Sequence, residues 1–164
     1  MLLYHGSNVE VYKPRLLRQT RGLDFGAGFY LTSNKKQAVN FSRIVMKRLQ
    51  TGAPTVSIYE YDEKAAEKEL EIFHFPKADA SWLEFVRDNR LKIYAGKQYD
   101  VIIGPVANDR VFPTIQALII GQFSVEAALV ELKTKKLFDQ HCFATDKAIN
   151  RLQFVKSYNP QEKK

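Results

Sequence analysis

The apolar residues of this chain form short runs with two spacings, one typical of strands and one typical of helices. Residues 55–61 alternate and are rich in β-branched and aromatic residues, which predicts a strand. Residues 35–50 have apolar residues three or four positions apart instead, which predicts a helix with one face in the core. That face would carry Ala38, Phe41, Val45 and Leu49.

The same two spacings place the other elements of the chain. Strands are predicted at residues 2–5, 70–75, 99–106 and 137–144 and in a last segment that ends at residue 154. One helix is predicted to begin at a cap within residues 79–81 and to end at residue 90. Further helices are predicted at residues 112–120 and 124–134, and a short one begins at residue 145. Residues 9–21 suggest a loop with strand pieces. Strands and helices in no regular alternation predict an α+β fold, as one domain over residues 1–158 with a disordered tail over residues 159–164.

Composition narrows the class of protein. A chain of 164 residues is long enough for one domain with a substantial core. The single cysteine, Cys142, excludes an internal disulfide and a multi-cysteine metal site, and His5, His74 and His141 lack the spacing of a zinc site. No apolar run is long enough to span a membrane, and the first residues lack the basic start of a signal peptide. We therefore expect a cytoplasmic protein without a metal ion.

The chain is basic, with a net charge of +7 and a pI near 9.4. Such a balance favours a polyanionic partner, either nucleic acid or an acidic protein. The basic residues form three clusters, Lys13/Arg15/Arg18/Arg21, Arg43/Lys47/Arg48 and Lys133/Lys135/Lys136.

A glycine-rich segment at residues 22–33 leads into a short apolar run and then into Ser33 and Asn34, which can cap the helix that follows. Gly26 and Gly28 allow positive φ and close approach of another group. An aromatic residue follows at once, so the segment suits a slot for a flat, amide-bearing ring. The alternative is a hairpin turn whose aromatic residues fill the core.

Three segments, taken in order, carry a resemblance. Residues 4–7 (Tyr-His-Gly-Ser) end the first predicted strand, residues 25–32 follow the pattern Phe-Gly-x-Gly-x-Tyr, and residues 139–143 form a strand near the C-terminus. Ten residues separate Tyr30 from Phe41. In this order the segments resemble the three motifs of the ADP-ribosyltransferase superfamily, in the branch of diphtheria toxin and the poly(ADP-ribose) polymerases. The resemblance extends from residue 4 to about residue 155 and is greatest to small, stand-alone bacterial domains, some of which occur with antitoxin-like partners.

The resemblance implies a split β-sandwich of two small antiparallel sheets with flanking helices, and NAD as co-substrate. It implies that His5 binds the adenosine-side ribose, that the backbone of Gly6 pairs with the nicotinamide carboxamide, and that Tyr30 and Phe41 pack on the nicotinamide. By the same resemblance Ser7, Gly26 and Gly28 belong to the NAD-binding residues, and the catalytic residues are Gln140, His5 and Tyr30. The function it implies is transfer of ADP-ribose from NAD to nucleic acid or protein, in a toxin with an acidic antitoxin-like partner.

The sequence departs from the family pattern at Gln140, where the family usually has a glutamate. Glutamine can accept a hydrogen bond but cannot act as a base, which argues against polymer elongation. Phe41 replaces the second tyrosine, and Ala38 stands where many relatives have a serine. Glu126 and Glu131, on a predicted helix, are poor substitutes for the missing carboxylate, and Asp109, in the loop after the strand at residues 99–106, is a better one. Asp24 lies near the glycines but has no evident carboxylate partner. A catalytically impaired domain that binds NAD, a nucleotide or nucleic acid is therefore the alternative.

Overall fold

The structure is a computed structural model that describes residues 1–17, 22–107, 111–133 and 137–161. Within these ranges it is an α+β fold with two sheets and six helices. The strands are β1 (Leu2–Ser7), β2 (Phe29–Leu31), β3 (Thr55–Tyr61), β4 (Ile72–His74), β5 (Val101–Pro105), β6 (Asp139–Phe143) and β7 (Leu152–Tyr158). The helices are α1 (Lys35–Leu49), α2 (Glu63–Ala66), α3 (Ala80–Arg90), α4 (Phe112–Ile119), α5 (Val125–Lys133) and α6 (Asp146–Ile149).

The first sheet has the order β1-β3-β7 and the second has the order β2-β6-β5-β4. All pairs are antiparallel except one: β4 and β5 run parallel. The expectation of two wholly antiparallel sheets was therefore wrong in this pair. The reason lies in the connection, since α3 carries the chain across between β4 and β5 and lets the second strand start again in the same direction.

The two sheets meet at one backbone bridge between Tyr4 of β1 and Thr32, the residue after β2. The Tyr4 N–H donates to the Thr32 carbonyl at 2.9 Å, and the Thr32 N–H donates back to the Tyr4 carbonyl at 3.0 Å. This contact brings the first two predicted motifs side by side.

Two hydrophobic clusters stabilise the fold. The first lies between the sheets and contains Leu3 and Tyr59 from one sheet and Phe29, Leu31 and Phe143 from the other. The second lies between the opposite face of the second sheet and α3, α4 and α5. Its members include Ile102, Cys142, Trp82, Ile115 and Ala128. The second sheet is thus covered on both faces, which suits its near-continuous apolar strand β5.

Helix α1 was predicted with the right bounds to within one residue, but its predicted buried face was right at Ala38 and wrong at Phe41 and Leu49. Its buried residues are Ala38 and Ser42, whereas Phe41 is 44% exposed and Leu49 is 55% exposed. The cause is Gly6, because a Cβ at this position would lie 2.1 Å from the carbonyl oxygen of Ala38. The helix backbone sits directly on β1 there, so small side chains form the contact.

The other predicted elements occur in the predicted order, and β3 has the predicted bounds. Strand β2 and helix α2 were not predicted as such, and β7 ends at residue 158 and not at residue 154. No strand occurs within the described part of residues 9–21, so the predicted strand pieces are absent from residues 9–17. Arg18, Arg21, Asp109, Lys135 and Lys136 lie outside the described residues, as does the end of the predicted tail at residues 162–164. None of the described helices combines the length and apolar character needed to cross a membrane.

Candidate functional site

The predicted site residues come together where β1, β2 and β6 meet. Side chains alternate between the faces of a strand, and directly opposed residues share a face. Tyr30 is opposite Cys142 in the β2–β6 pair, so Tyr30 and Gln140 share one face of the second sheet. The Tyr4–Thr32 bridge continues that face to Gly6 in β1. His5 points to the other side of β1, the side of Leu3 and the core between the sheets.

His5 is fixed by the backbone of the second motif. Its Nδ1 lies 2.8 Å from the Tyr30 carbonyl oxygen, and its ring centroid lies 4.4 Å from that of Phe29. A carbonyl only accepts hydrogen bonds, so Nδ1 carries the proton and donates it. Burial lowers the pKa of His5 below its usual value of 6.5, although the bond to Tyr30 opposes this. The ring is therefore neutral near pH 7, and Nε2 is an acceptor.

The peptide edge of Gly6 lies beyond the end of β2, and Gly6 itself is buried under the backbone of α1. Both polar groups of the Tyr4 peptide face Thr32, and residues two positions apart in a strand direct these groups to the same side. The N–H and C=O of Gly6 therefore also point away from β3, beyond the end of β2. Among the described residues, no hydrogen bond outside the helices and strand pairs uses either group.

Gln140 is 6% exposed and lies at the start of β6, opposite Gly104. Its Nε2 donates to Asp24 Oδ2 at 3.2 Å and faces the Pro105 carbonyl oxygen at 3.4 Å. Within the described ranges, no donor contacts its Oε1. The amide thus keeps an acceptor, without a charge, at this end of β6.

The carboxylate of Asp24 lies beneath Gln140. Arg90, the last residue of α3, contacts Asp24 Oδ1 through Nε at 2.7 Å and Nη2 at 2.6 Å. The Ala107 N–H donates to Oδ2 at 3.2 Å. The side chains of Asp24 and Arg90 are only 10% and 15% exposed, so this is a buried ion pair.

Tyr30 holds the glycine segment in place. Its hydroxyl donates to the Gly26 carbonyl at 2.6 Å and accepts from the Phe25 N–H at 3.0 Å. Burial raises its pKa well above 10, so the hydroxyl stays protonated. Its hydrogen-bonding capacity serves the loop, which leaves the ring as the part of Tyr30 that can contact a ligand.

The two motif glycines have different roles. Gly26 has φ of +79°, as expected for a turn glycine. Gly28 is not in that region; a Cβ there would lie 2.3 Å from Cys142 Sγ, so it allows close packing of β6. The group that approaches Gly28 closely is therefore a side chain of the protein and not a ligand. Ser7, also predicted as a site residue, has its Oγ 3.4 Å from Asn8 Oδ1.

A second polar cluster lies at the start of β6. Ser33 Oγ donates to Asp139 Oδ1 at 2.8 Å, and His141 Nε2 contacts Asp139 Oδ2 at 2.8 Å. Burial alone would raise the pKa of Asp139, but the hydrogen bonds from His141 and Ser33 bring it down to about 2. His141 is 3% exposed, and its Nδ1 has no partner among the described residues.

Sequence reasoning missed the roles of Asp24 and Arg90. One signal was present for Asp24: it lies between Leu23 and Phe25 in an apolar segment, where a carboxylate needs partners. The sequence held no signal for Arg90, because basic residues are common in the last turn of a helix. Glu126 and Glu131 are exposed on α5. The described carboxylate in contact with Gln140 is that of Asp24.

Other candidate chemistry can be placed in the same way. Cys142 is fully buried, and burial raises its pKa to about 12, so it is not a nucleophile. Within the described residues, no group of three or more histidine, cysteine, aspartate and glutamate side chains is arranged to hold a metal ion. A cavity of about 420 Å³ faces the other side of the glycine segment and is lined by Gly26, Phe85 and Tyr99 among others. Another, of about 550 Å³, lies along residues 67–72. Neither is lined by His5, Gly6 or Gln140.

Comparison with known proteins gives one match. No curated protein and no solved structure matches the chain. A family model described as "Protein of unknown function (DUF3990)" matches residues 1–154, which include all three motifs. The chain therefore belongs to this family.

Proposed function

We propose that this protein is a mono-ADP-ribosyltransferase that cleaves NAD and transfers one ADP-ribose unit to a macromolecule, on an ADP-ribosyltransferase-like split β-sandwich. The observation that carries the proposal is the peptide edge of Gly6, which has no backbone partner outside the strand pairs among the described residues and lies on the strand that bridges to the end of β2, the strand of Tyr30. A carboxamide has donors and an acceptor side by side, so it can pair with both groups of one peptide. This is the contact that the resemblance assigns to nicotinamide.

The two fixed acceptors support the same proposal. His5 offers a neutral Nε2, and Gln140 offers Oε1. Ribose hydroxyls are donors that match such acceptors. His5 would then bind the adenosine-side ribose and Gln140 the nicotinamide ribose.

The aromatic pair supplies the surface for the ring. Phe41 on α1 is 44% exposed and lies one turn after Ala38, which packs on Gly6. An exposed aromatic side chain on the helix that packs on β1 can offer its face to a flat, amide-bearing ring. The ring of Tyr30 belongs to the same face.

The proposed reaction breaks the bond between the ribose C1′ and the nicotinamide nitrogen. The bonding electrons leave with neutral nicotinamide, C1′ gains positive charge, and a nucleophile of the acceptor bonds to C1′ and loses its proton to solvent. Binding and orientation provide most of the rate in such a site. Gln140 supplies a dipole and no base, so we expect transfer of single units.

The alternative is a domain that binds NAD or another nucleotide without turnover. The burial of Gln140 at 6% exposure, between Asp24 and Pro105, favours this alternative, since such an amide also serves the fold. Release of nicotinamide separates the two.

The basic charge supports a polyanionic acceptor or an acidic neutralising partner, as in a toxin–antitoxin pair. Arg43, Lys47 and Arg48 are exposed on α1, the helix that carries Phe41. A nucleic acid or acidic protein that binds these charges would therefore dock on the helix that carries Phe41.

The test uses thermal unfolding with NAD and release of nicotinamide, alone and with single-stranded nucleic acid added. NAD at a hundred times its Kd should stabilise the fold by about 2.7 kcal/mol, because it binds only the folded state. For a chain of this size that is a rise in Tm of roughly 5–10 °C. Phe41→Ala should remove most of this rise while changing the Tm without ligand little, because the side chain is exposed.

Leu49→Ala is the matched control, since Leu49 is an exposed residue two turns further along α1. It should keep the full response to NAD. If NAD, nicotinamide and ADP-ribose all leave the Tm of the wild type unchanged, the proposal is wrong. Binding without nicotinamide release, with or without nucleic acid, would favour the binding domain.

A further inference from the structure

The orientation of the Gln140 amide is decided by its neighbours. Its Nε2 lies near two groups, the Asp24 carboxylate and the Pro105 carbonyl, and both can only accept hydrogen bonds. The NH₂ group must face them, and Oε1 must face the opposite way. Without these two neighbours the amide could turn by 180° and present a donor at the same place.

Asp24 is held firmly enough to impose this orientation. Arg90 binds one carboxylate oxygen with two N–H groups, and the Ala107 N–H binds the other. The segment that carries Asp24 is docked on the end of α3, where a Cβ on Gly22 would lie 2.0 Å from the Arg90 carbonyl oxygen. The acceptor beneath Gln140 is therefore fixed by backbone packing as well as by the ion pair.

The same contact explains why position 140 is a glutamine. A glutamate there would bring its carboxylate within about hydrogen-bond distance of Asp24 Oδ2, with no proton between them, and like charges at that distance repel. Arg90 supplies one positive charge, which is enough for one of the two carboxylates and leaves the second without a counter-charge. Asp24 and Gln140 thus form a matched carboxylate–amide pair.

We propose that Asp24 is a positioning residue of the NAD site, which orients Gln140 so that Oε1 accepts a hydrogen bond from the nicotinamide ribose. The inference rests on the proposed function. Asp24 itself does not contact the ligand; it acts through the amide, and Arg90 acts through Asp24.

The test exchanges the carboxylate at position 24 and the amide at position 140. In Asp24→Asn the neighbour of Gln140 becomes an amide that can present a donor, so the orientation of Gln140 is no longer fixed. In Gln140→Glu two carboxylates face each other. Each single variant should lose about tenfold in nicotinamide release and most of the Tm rise with NAD, as expected when a ribose contact made in the NAD complex and kept in the transition state is misplaced. The double variant restores one amide and one carboxylate with their positions exchanged, and should recover to within about threefold of the wild type.

Asp100→Asn is the control for loss of a carboxylate. Asp100 accepts from the Thr145 hydroxyl at 2.7 Å and the Glu71 N–H at 2.9 Å, at the opposite end of β5. This variant should lower stability but keep the response to NAD. Combined with Gln140→Glu, it should bring no recovery.

The outcomes separate the two proposals. No response of the wild type to NAD overturns the proposed function and this inference with it. A wild type that responds, with Asp24→Asn equally active or with a double variant no better than the weaker single variant, overturns this inference alone. If Asp24→Asn does not fold, the side-chain NH₂ protons of Gln140 in the wild type decide by NMR. Slow exchange with water supports the orientation, and fast exchange overturns it.

Discussion

Two carboxylates, the buried one of Asp24 and the half-buried one of Asp139, contact residues near the two ends of the glycine segment, and they differ in what holds them. Asp24 pairs with the permanent cation of Arg90, and both side chains are at most 15% exposed. Asp139 accepts from Ser33 and His141, and its side chain is 32% exposed. The first contacts the side chain of Gln140, whereas the second ties the start of β6 to the residues that precede α1.

The difference shows which of the two can serve a ligand site and which serves the fold. A carboxylate with hydroxyl and imidazole partners near solvent contributes hydrogen bonds that water could replace in part. A carboxylate paired with a buried arginine is costly to disrupt, because removal of one partner leaves the other charge in the interior. Such a pair is a rigid support on which an amide can be oriented.

Truncating each of the two carboxylates should give the largest difference in stability between them. Asp24→Ala leaves Arg90 unpaired in a buried place and should lower the free energy of unfolding by about 3–5 kcal/mol. Asp139→Ala removes partly exposed hydrogen bonds and should lower it by roughly 1–2 kcal/mol. Urea unfolding of both variants measures the difference.

Asp24→Ala/Arg90→Met is the control, since it removes both charges and should recover part of the loss. Equal destabilisation by the two alanine substitutions would contradict the distinction between the two carboxylates.

A smaller effect should appear in acid, where Asp139 can be followed alone. Its folded pKa is about 2, below its usual value of 3.8, because of the hydrogen bonds from His141 and Ser33. A lowered pKa means that the contribution to stability is complete above about pH 4 and is lost as the pH falls towards 2. The difference in unfolding free energy between wild type and Asp139→Asn should therefore shrink over this range. A difference that stays constant from pH 5 to pH 2 would show that the carboxylate is not stabilised in this way.

The smallest effect concerns His5, and it is measured as the pH dependence of stability and of the response to NAD. Burial lowers the pKa of His5, so below about pH 6.5 the unfolded state takes up a proton first and stability falls. Once protonated, Nε2 becomes a donor and no longer accepts from a ribose hydroxyl. The Tm rise with NAD should therefore decrease from pH 8 to pH 5 in the wild type.

His5→Asn is the matched variant, because its amide can donate to the Tyr30 carbonyl and still offer an acceptor without titrating. Its response to NAD should be weaker but flat over the same range. Identical pH profiles for the wild type and the variant would assign the titration to another group.

Much of the fold could be read from local spacing. Strand β3 has the predicted bounds, and α1 ends one residue before the predicted end and is capped by Asn34, whose side chain accepts from the Gln37 N–H. These features depend on residues close in sequence, such as a cap or an alternation of apolar positions. The prediction that Phe41 lies on the buried face of α1 was wrong, because the contact with Gly6 required small side chains and excluded Phe41.

The parallel pairing of β4 and β5 was missed for a related reason. Strand spacing shows that a segment is extended but carries no information on the direction of its neighbour. That direction follows from the path of α3 over the sheet.

The sequence by itself determined the order of the elements, the place of the glycine segment and the resemblance to three motifs, because each depends on residue type and local spacing. The tertiary structure alone decided which groups meet. It brought Asp24, Arg90 and Gln140 together from the glycine segment, the end of α3 and the start of β6. Contacts between residues 66 and 116 positions apart leave no local pattern, so the orientation of the Gln140 amide could be inferred only once its neighbours were known.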